Sequence, residues 1–126
     1  MHINHPKELS DDGDGNSKNA NDDNTVLKAL KRLKKTGVIL MNQTVLLKGV
    51  NDNLETLLEL AETLSNNGIL FYYLHQLDQV EGAEHFEVKK EKGLELIRQL
   101  QKRTSGYAVP KYVQEIPFEK SKTLLT

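Results

Sequence analysis

No cysteine occurs among the 126 residues. That excludes disulfides, thiolate nucleophiles, cysteine-based zinc sites and iron–sulfur ligation from what the chain can do alone. Tryptophan is absent too, and four tyrosines and three phenylalanines are the whole aromatic content, so the core has to be built from leucine, isoleucine and valine. Neither sign of charge dominates: 17 basic and 18 acidic residues leave a net charge of −1, which provides no field for recruiting nucleic acid or an anionic membrane. No apolar run approaches the length of a bilayer span, and the opening "MHINHPKEL" has neither the basic nor the apolar region of a signal peptide. The expectation is one cytoplasmic domain, with neither nucleic acid nor membrane as partner.

What is present divides into unlike parts. The stretch "DDGDGNSKNANDDNT", residues 11–25, is almost without apolar residues and is expected to be a solvated insert. Its start resembles a calcium loop, with Asp12, Asp14 and Asn16 in the first ligand positions, but Ser17 stands where such a loop needs glycine and Asp23 where it needs glutamate. His2, His5, His75 and His85 form no recognised zinc pattern, so no metal site is expected.

From residue 26 the periodicity alternates between helical and extended. "TVLKALKRLKKTG" carries Val26, Ala29, Leu30 and Leu33 at helical spacing, basic residues in its last turn, and Gly37 as a stop. "VILMNQTVLL", residues 38–47, predicts a buried strand interrupted by the polar pair Asn42 and Gln43. "NDNLETLLELAETLSNNG" supplies Asn or Asp caps, inward Leu54, Leu57, Leu58, Ala61 and Leu64, and Gly68 as terminator. A second strand, "ILFYYLHQLD", and a third helix with Leu94, Ile97 and Leu100 inward complete the pattern. Strands joined through helices imply parallel pairing, hence an α/β architecture. In such sheets chemistry gathers at the carboxyl ends of strands, where this reading puts Asn42, Gln43, His75 and Asp78. Two strands leave both faces and both edges of a parallel sheet uncovered, so the chain is expected to be part of something larger.

Taken in order, "HINHPKEL", "MNQTVLLKGVNDN", "FYYLHQLDQVEGAEHF", "TSGYAVPKYVQEIP" and "SKT" resemble the C-terminal part of the lysine 2,3-aminomutase family. The likeness covers nearly the whole chain except the insert. "YLHQLD" and "VQEIP" are nearer to the bacterial branch that makes β-lysine for elongation factor P than to the fermentative branch, which has aspartate in place of Glu115.

The resemblance implies a radical S-adenosylmethionine isomerase that also uses pyridoxal phosphate, converts L-lysine to β-lysine, and is built on a partial (β/α) barrel. Its parts would be a strand-end segment at 1–10, the insert at 11–25, two to three β/α units at 26–106, and a cofactor-lysine segment at 107–126. Lys122 matches the lysine that holds pyridoxal phosphate as an imine, a bond that needs the neutral amine. Asp78 and Glu115 match the two carboxylates that grip the remote ammonium of the substrate, and two converging carboxylates hold a desolvated ammonium more strongly than one. Gln43, Asn42 and His2 match polar positions near the cofactors.

The family's chemistry also requires a [4Fe-4S] cluster on three cysteines, and this chain has none. Near Lys122 the glycines usual in the family are missing, and Leu124 stands where proline is usual. The favoured expectation is therefore the terminal portion of an aminomutase, inactive alone, whose partner is the missing N-terminal part or a further copy in an oligomer. Two alternatives stand beside it: a standalone remnant that binds pyridoxal phosphate or an anionic metabolite, and an α/β interaction module that uses the acidic insert. Lys111 and Lys120 compete with Lys122 for the amine role, and Tyr72 and Tyr73 read as core or wall.

Overall fold

The computed structural model describes residues 1–9, 25–77, 84–115 and 121–126. Residues 11–24 of the acidic insert, with Asp12, Asp14 and Asn16, lie outside the described residues, as do Asp78 and Lys120. Three helices, α1 (Thr25–Lys34), α2 (Leu54–Asn66) and α3 (Lys90–Arg103), alternate with strands β1 (Leu40–Leu46), β2 (Ile69–Gln76) and β3 (Lys111–Gln114), and a short β4 (Thr123–Leu124) follows. The sheet runs β1-β2-β3-β4, with β1/β2 and β2/β3 parallel and β3/β4 antiparallel. The α/β expectation with parallel pairing holds, and the result is an open four-stranded mixed sheet. No described helix is long and apolar enough to cross a membrane.

The sequence predicts two strands, and the described residues form four. The difference comes from residues 107–126, which were expected to form a separate lysine segment. Their first part pairs with β2 through Tyr73↔Lys111, Leu74↔Tyr112 and His75↔Val113. The chain end returns beside β3, and Leu125 N donates to Tyr112 O at 2.7 Å. Pairing with an existing strand supplies the hydrogen bonds that a four-residue strand cannot supply for itself.

Helix boundaries follow local chemistry. Asn53 caps α2, its side chain accepting from Thr56 N at 2.9 Å. Gly68 ends the turn after α2 at φ 68°, a left-handed conformation that glycine adopts without strain. α2 and α3 cover one face of the sheet. Against it they pack Leu57, Leu58, Leu60, Ala61 and Leu64 from α2 and Leu96, Ile97 and Leu100 from α3, together with Ile69, Phe71, Leu74 and Tyr112 from the strands.

Two helix faces differ from their expected composition. Leu94 is exposed, and Gly93 and Leu96 are buried beside Ile97 and Leu100. The buried stripe is thus rotated by one residue from the predicted one. In α1, Leu27 and Leu30 pack against the core, whereas Val26, Ala29 and Leu33 are exposed. The helix touches the core along a narrower line than its periodicity suggests.

β2 carries an irregularity that decides which side chains share a face. Asn42 is opposite Phe71 but Gln43 is opposite Tyr73, so Tyr72 is an extra residue in the ladder. Strict alternation would put residue 73 on the side of Ile69 and Phe71. The bulge instead sends Leu74 and Gln76 to the helical side and leaves Tyr73 and His75 on the open face.

Candidate functional site

The open face of the sheet collects polar side chains from β1 and β2 and from residues adjoining β3 and β4. Gln43 comes from β1 and Tyr73 and His75 from β2. Glu115 follows directly on β3 and Lys122 directly precedes β4. The antiparallel pairs Val113↔Leu124 and Gln114↔Thr123 bring the last two residues alongside each other. Lys122 Nζ lies 3.4 Å from Glu115 Oε1 and 5.4 Å from the centroid of the Tyr73 ring, within range of a cation–π contact. The Tyr73 and His75 rings are 5.6 Å apart, and His75 Nε2 is 2.9 Å from Gln43 Oε1. An unbroken path of contacts, Glu115–Lys122–Tyr73–His75–Gln43, thus crosses four strands' worth of sheet. Hydrogen bonding with Tyr72 and burial both push the Tyr73 phenol above its ordinary range.

Gln43 and Asn42 were expected together at the end of β1. They are instead the third and fourth of its seven residues, and adjacent strand residues point to opposite faces. Asn42 is fully buried on the helical side. Its amide accepts from Ile3 N at 2.8 Å and donates to Ile3 O and to Thr44 Oγ1, each at 3.0 Å. With Thr44 Oγ1 donating to Ile3 O at 2.6 Å and Asn4 Oδ1 accepting from Val45 N at 2.9 Å, it holds residues 1–4 along the outer edge of β1. Met1 and Ile3 pack toward the helical core, so His2 between them is left exposed on the other side.

The structure therefore brings Lys122, Glu115 and Gln43 to one face, sets His2 at its margin and turns Asn42 away. His75 was expected only as a polar strand-end residue and Tyr73 as core or wall, with no binding role for either, although both belong to the face. Their strand was recognisable, but the bulge at Tyr72 that aims them leaves no mark in a run of apolar and aromatic residues.

Nearly the whole chain aligns with curated proteins. The L-lysine 2,3-aminomutase of Escherichia coli K12 is 43% identical over 124 residues, which is 98% of this chain and 32% of that protein. The chain is similar along nearly all of its length to the C-terminal part of L-lysine 2,3-aminomutases. The enzyme of the same name from Haemophilus influenzae is 43% identical over 123 residues, again 98% of this chain and 32% of the relative. That from Clostridium subterminale is 37% identical over 122 residues, 97% of this chain and 26% of the relative. The chain spans about a third or less of the length of these aminomutases. No protein-family profile matches it.

The residues of this chain fit a carbonyl cofactor in one respect. The Lys122 side chain is 31% exposed and its amine lies beside an aromatic ring, where a planar aldehyde could reach it. They do not fit an iron–sulfur cluster, because the chain has no cysteine. Among the described residues no group of three His, Cys, Asp or Glu side chains could hold a metal ion.

Proposed function

We propose that this chain is the C-terminal portion of a cytoplasmic lysine 2,3-aminomutase-type isomerase, and that its sheet is a section of a partial (β/α) barrel whose inner wall is the face bearing Lys122. The observation that carries the reading is the meeting of Lys122 and Glu115 on that face, at the positions where the family resemblance puts the cofactor lysine and a substrate carboxylate. When bound, pyridoxal phosphate would supply a carbonyl that captures the migrating amine, while S-adenosylmethionine on a [4Fe-4S] cluster would supply the radical.

The chain's own residues have narrower tasks. Lys122 would hold the pyridoxal phosphate covalently, its neutral amine being the nucleophile. Tyr73 lies under that amine, limits where it can swing and keeps water from one side of it. Glu115 would receive the ammonium at the far end of L-lysine, with Asp78 as its partner, and would reject ligands whose far end is apolar. Gln43 holds His75 in one ring orientation through the 2.9 Å contact and lines the cofactor side, with His2 at the margin. The chain has no cysteine to hold an iron–sulfur cluster, so alone it is not expected to isomerise lysine. The elongation factor P branch is the version of this reading that Glu115 favours, since the fermentative branch has aspartate there.

The test is incubation of the purified chain with pyridoxal phosphate, followed by borohydride reduction and peptide mapping. The expected result is a visible absorption band and a reduced adduct on Lys122, both missing in Lys122→Ala. An adduct spread evenly over Lys111, Lys120 and other lysines, with the Lys122→Ala spectrum unchanged, would overturn the assignment.

A further inference from the structure

We infer that Lys122 stands in for the ligand: in the unloaded chain its ammonium occupies the carboxylate that the proposed function reserves for the ammonium of lysine, so the two cations exclude each other at Glu115. The inference rests on that reading of Glu115 and adds to it a coupling between the two halves of the site.

The placement is not an accident of two flexible side chains. Glu115 continues the strand after Gln114, Lys122 precedes Thr123, and Gln114 is paired with Thr123. The ladder that joins β3 to β4 therefore sets the backbones of Glu115 and Lys122 opposite each other before any side-chain rotamer is chosen. The group so presented is a primary ammonium on a four-carbon stem, the same group that ends a lysine ligand. The contact at 3.4 Å is close enough for an ion pair. A second ammonium at the same carboxylate would stand within a few ångström of the first, and like charges at that range repel. Occupancy by one cation weakens occupancy by the other.

Lys122 also has somewhere else to go. Its amine is 5.4 Å from the Tyr73 ring, and a short swing over that ring keeps a favourable contact after Glu115 is surrendered. Movement toward the ring is movement along the open face toward His75 and Gln43, where the proposed function puts the cofactor. A ligand ammonium arriving at Glu115 thus delivers the Lys122 amine toward the position in which it reacts. By linkage, anything that removes Lys122 from Glu115 must strengthen ammonium binding by the same factor.

The experiment uses the whole chain, with n-butylammonium chloride as the probe and sodium chloride at equal ionic strength as the control. Binding is followed by the NMR shifts of the Tyr73 ring in the native chain, in Lys122→Met and in Glu115→Gln, and of the Glu115 carboxylate in the first two, each protein first checked for a native-like amide spectrum. An exposed ion pair supports an effect of about two- to fivefold. The expected result is n-butylammonium binding tighter by that factor in Lys122→Met than in the native chain, and lost in Glu115→Gln. Equal or weaker binding in Lys122→Met, or undiminished binding in Glu115→Gln, would overturn the inference.

A second measurement needs no substitution. Methylguanidinium pairs with carboxylates but is a poor amine nucleophile, so in the native chain it should raise the rate of reductive methylation at Lys122 relative to the other lysines. No change in that ratio would count against the coupling. Neither readout involves pyridoxal phosphate, so a failure here is distinguishable from a failure of the cofactor assignment.

Discussion

Gly93 of α3 lies directly against the Tyr112 side chain of β3: a Cβ at position 93 would sit 2.1 Å from the phenolic oxygen and 2.4 Å from Cζ. Tyr112 is completely buried, donates its hydroxyl proton to Gln76 Oε1, and cannot retreat without breaking that bond. Gln76 in turn donates to Val88 O at 2.5 Å. One missing methyl group is what lets helix, strand and loop meet here.

Gly93→Ala should therefore destabilise the protein, although alanine is the better helix former. The propensity gain is about 1 kcal/mol, while forcing a methyl into a filled core costs roughly 1–3 kcal/mol in displaced side chains. Because the clash is with a ring that cannot move, the cost should prevail. Thermal unfolding checks it, and a melting temperature at or above that of the native chain would show that α3 can slide away from β3.

The same tyrosine should give the protein an alkaline weakness. Burial pushes the Tyr112 phenol up to about 12, against about 10 when unfolded. The unfolded chain thus loses its proton first as pH rises, and the folded form is penalised from that point on. Stability from this group is complete below pH 10 and declines between about 10 and 12. Tyr112→Phe should remove that part of the decline while costing about 1–3 kcal/mol at neutral pH, because Gln76 Oε1 is left unpaired in the core. Denaturant titrations at pH 7, 9 and 11 read both effects, and parallel pH profiles for the two proteins would refute the assignment.

Asn42→Ala should loosen residues 1–4 rather than the cofactor side. Three of its hydrogen bonds go to Ile3 and Thr44, and leaving those partners unmet should cost about 1–3 kcal/mol. Faster amide hydrogen exchange at Ile3, with pyridoxal phosphate capture at Lys122 little changed, is the expected outcome. Capture lost at unchanged stability would return Asn42 to the cofactor side.

Much of this was legible along the chain, because the signals are local. Asn53, Gly37 and Gly68 mark helix ends through bonds and dihedrals that involve only near neighbours. The spacing of Leu57, Leu58, Ala61 and Leu64 identifies the face of α2 that meets the sheet. The motifs that carry the family likeness also survive in order, which is why Lys122 and Glu115 could be singled out from a tail that composition alone would pass over. The order of helices and strands and the parallel sheet followed from periodicity.

What periodicity could not supply were quantities that depend on a partner. Residues 111–114 have too little length to announce a strand, and become one only because β2 offers them an edge. The bulge at Tyr72 exists only in the pairing of β2 with β1, yet it determines that Tyr73 and His75 share a face with Gln43. Asn42 and Gln43 are neighbours in sequence with equally polar side chains, and the pleat alone sends one into the helical layer and the other to the open face. By itself the sequence determined the three helices, the first two strands, their order and the likeness to aminomutases. The tertiary structure decided which side chains meet, because face and register are properties of strand pairing rather than of any one strand.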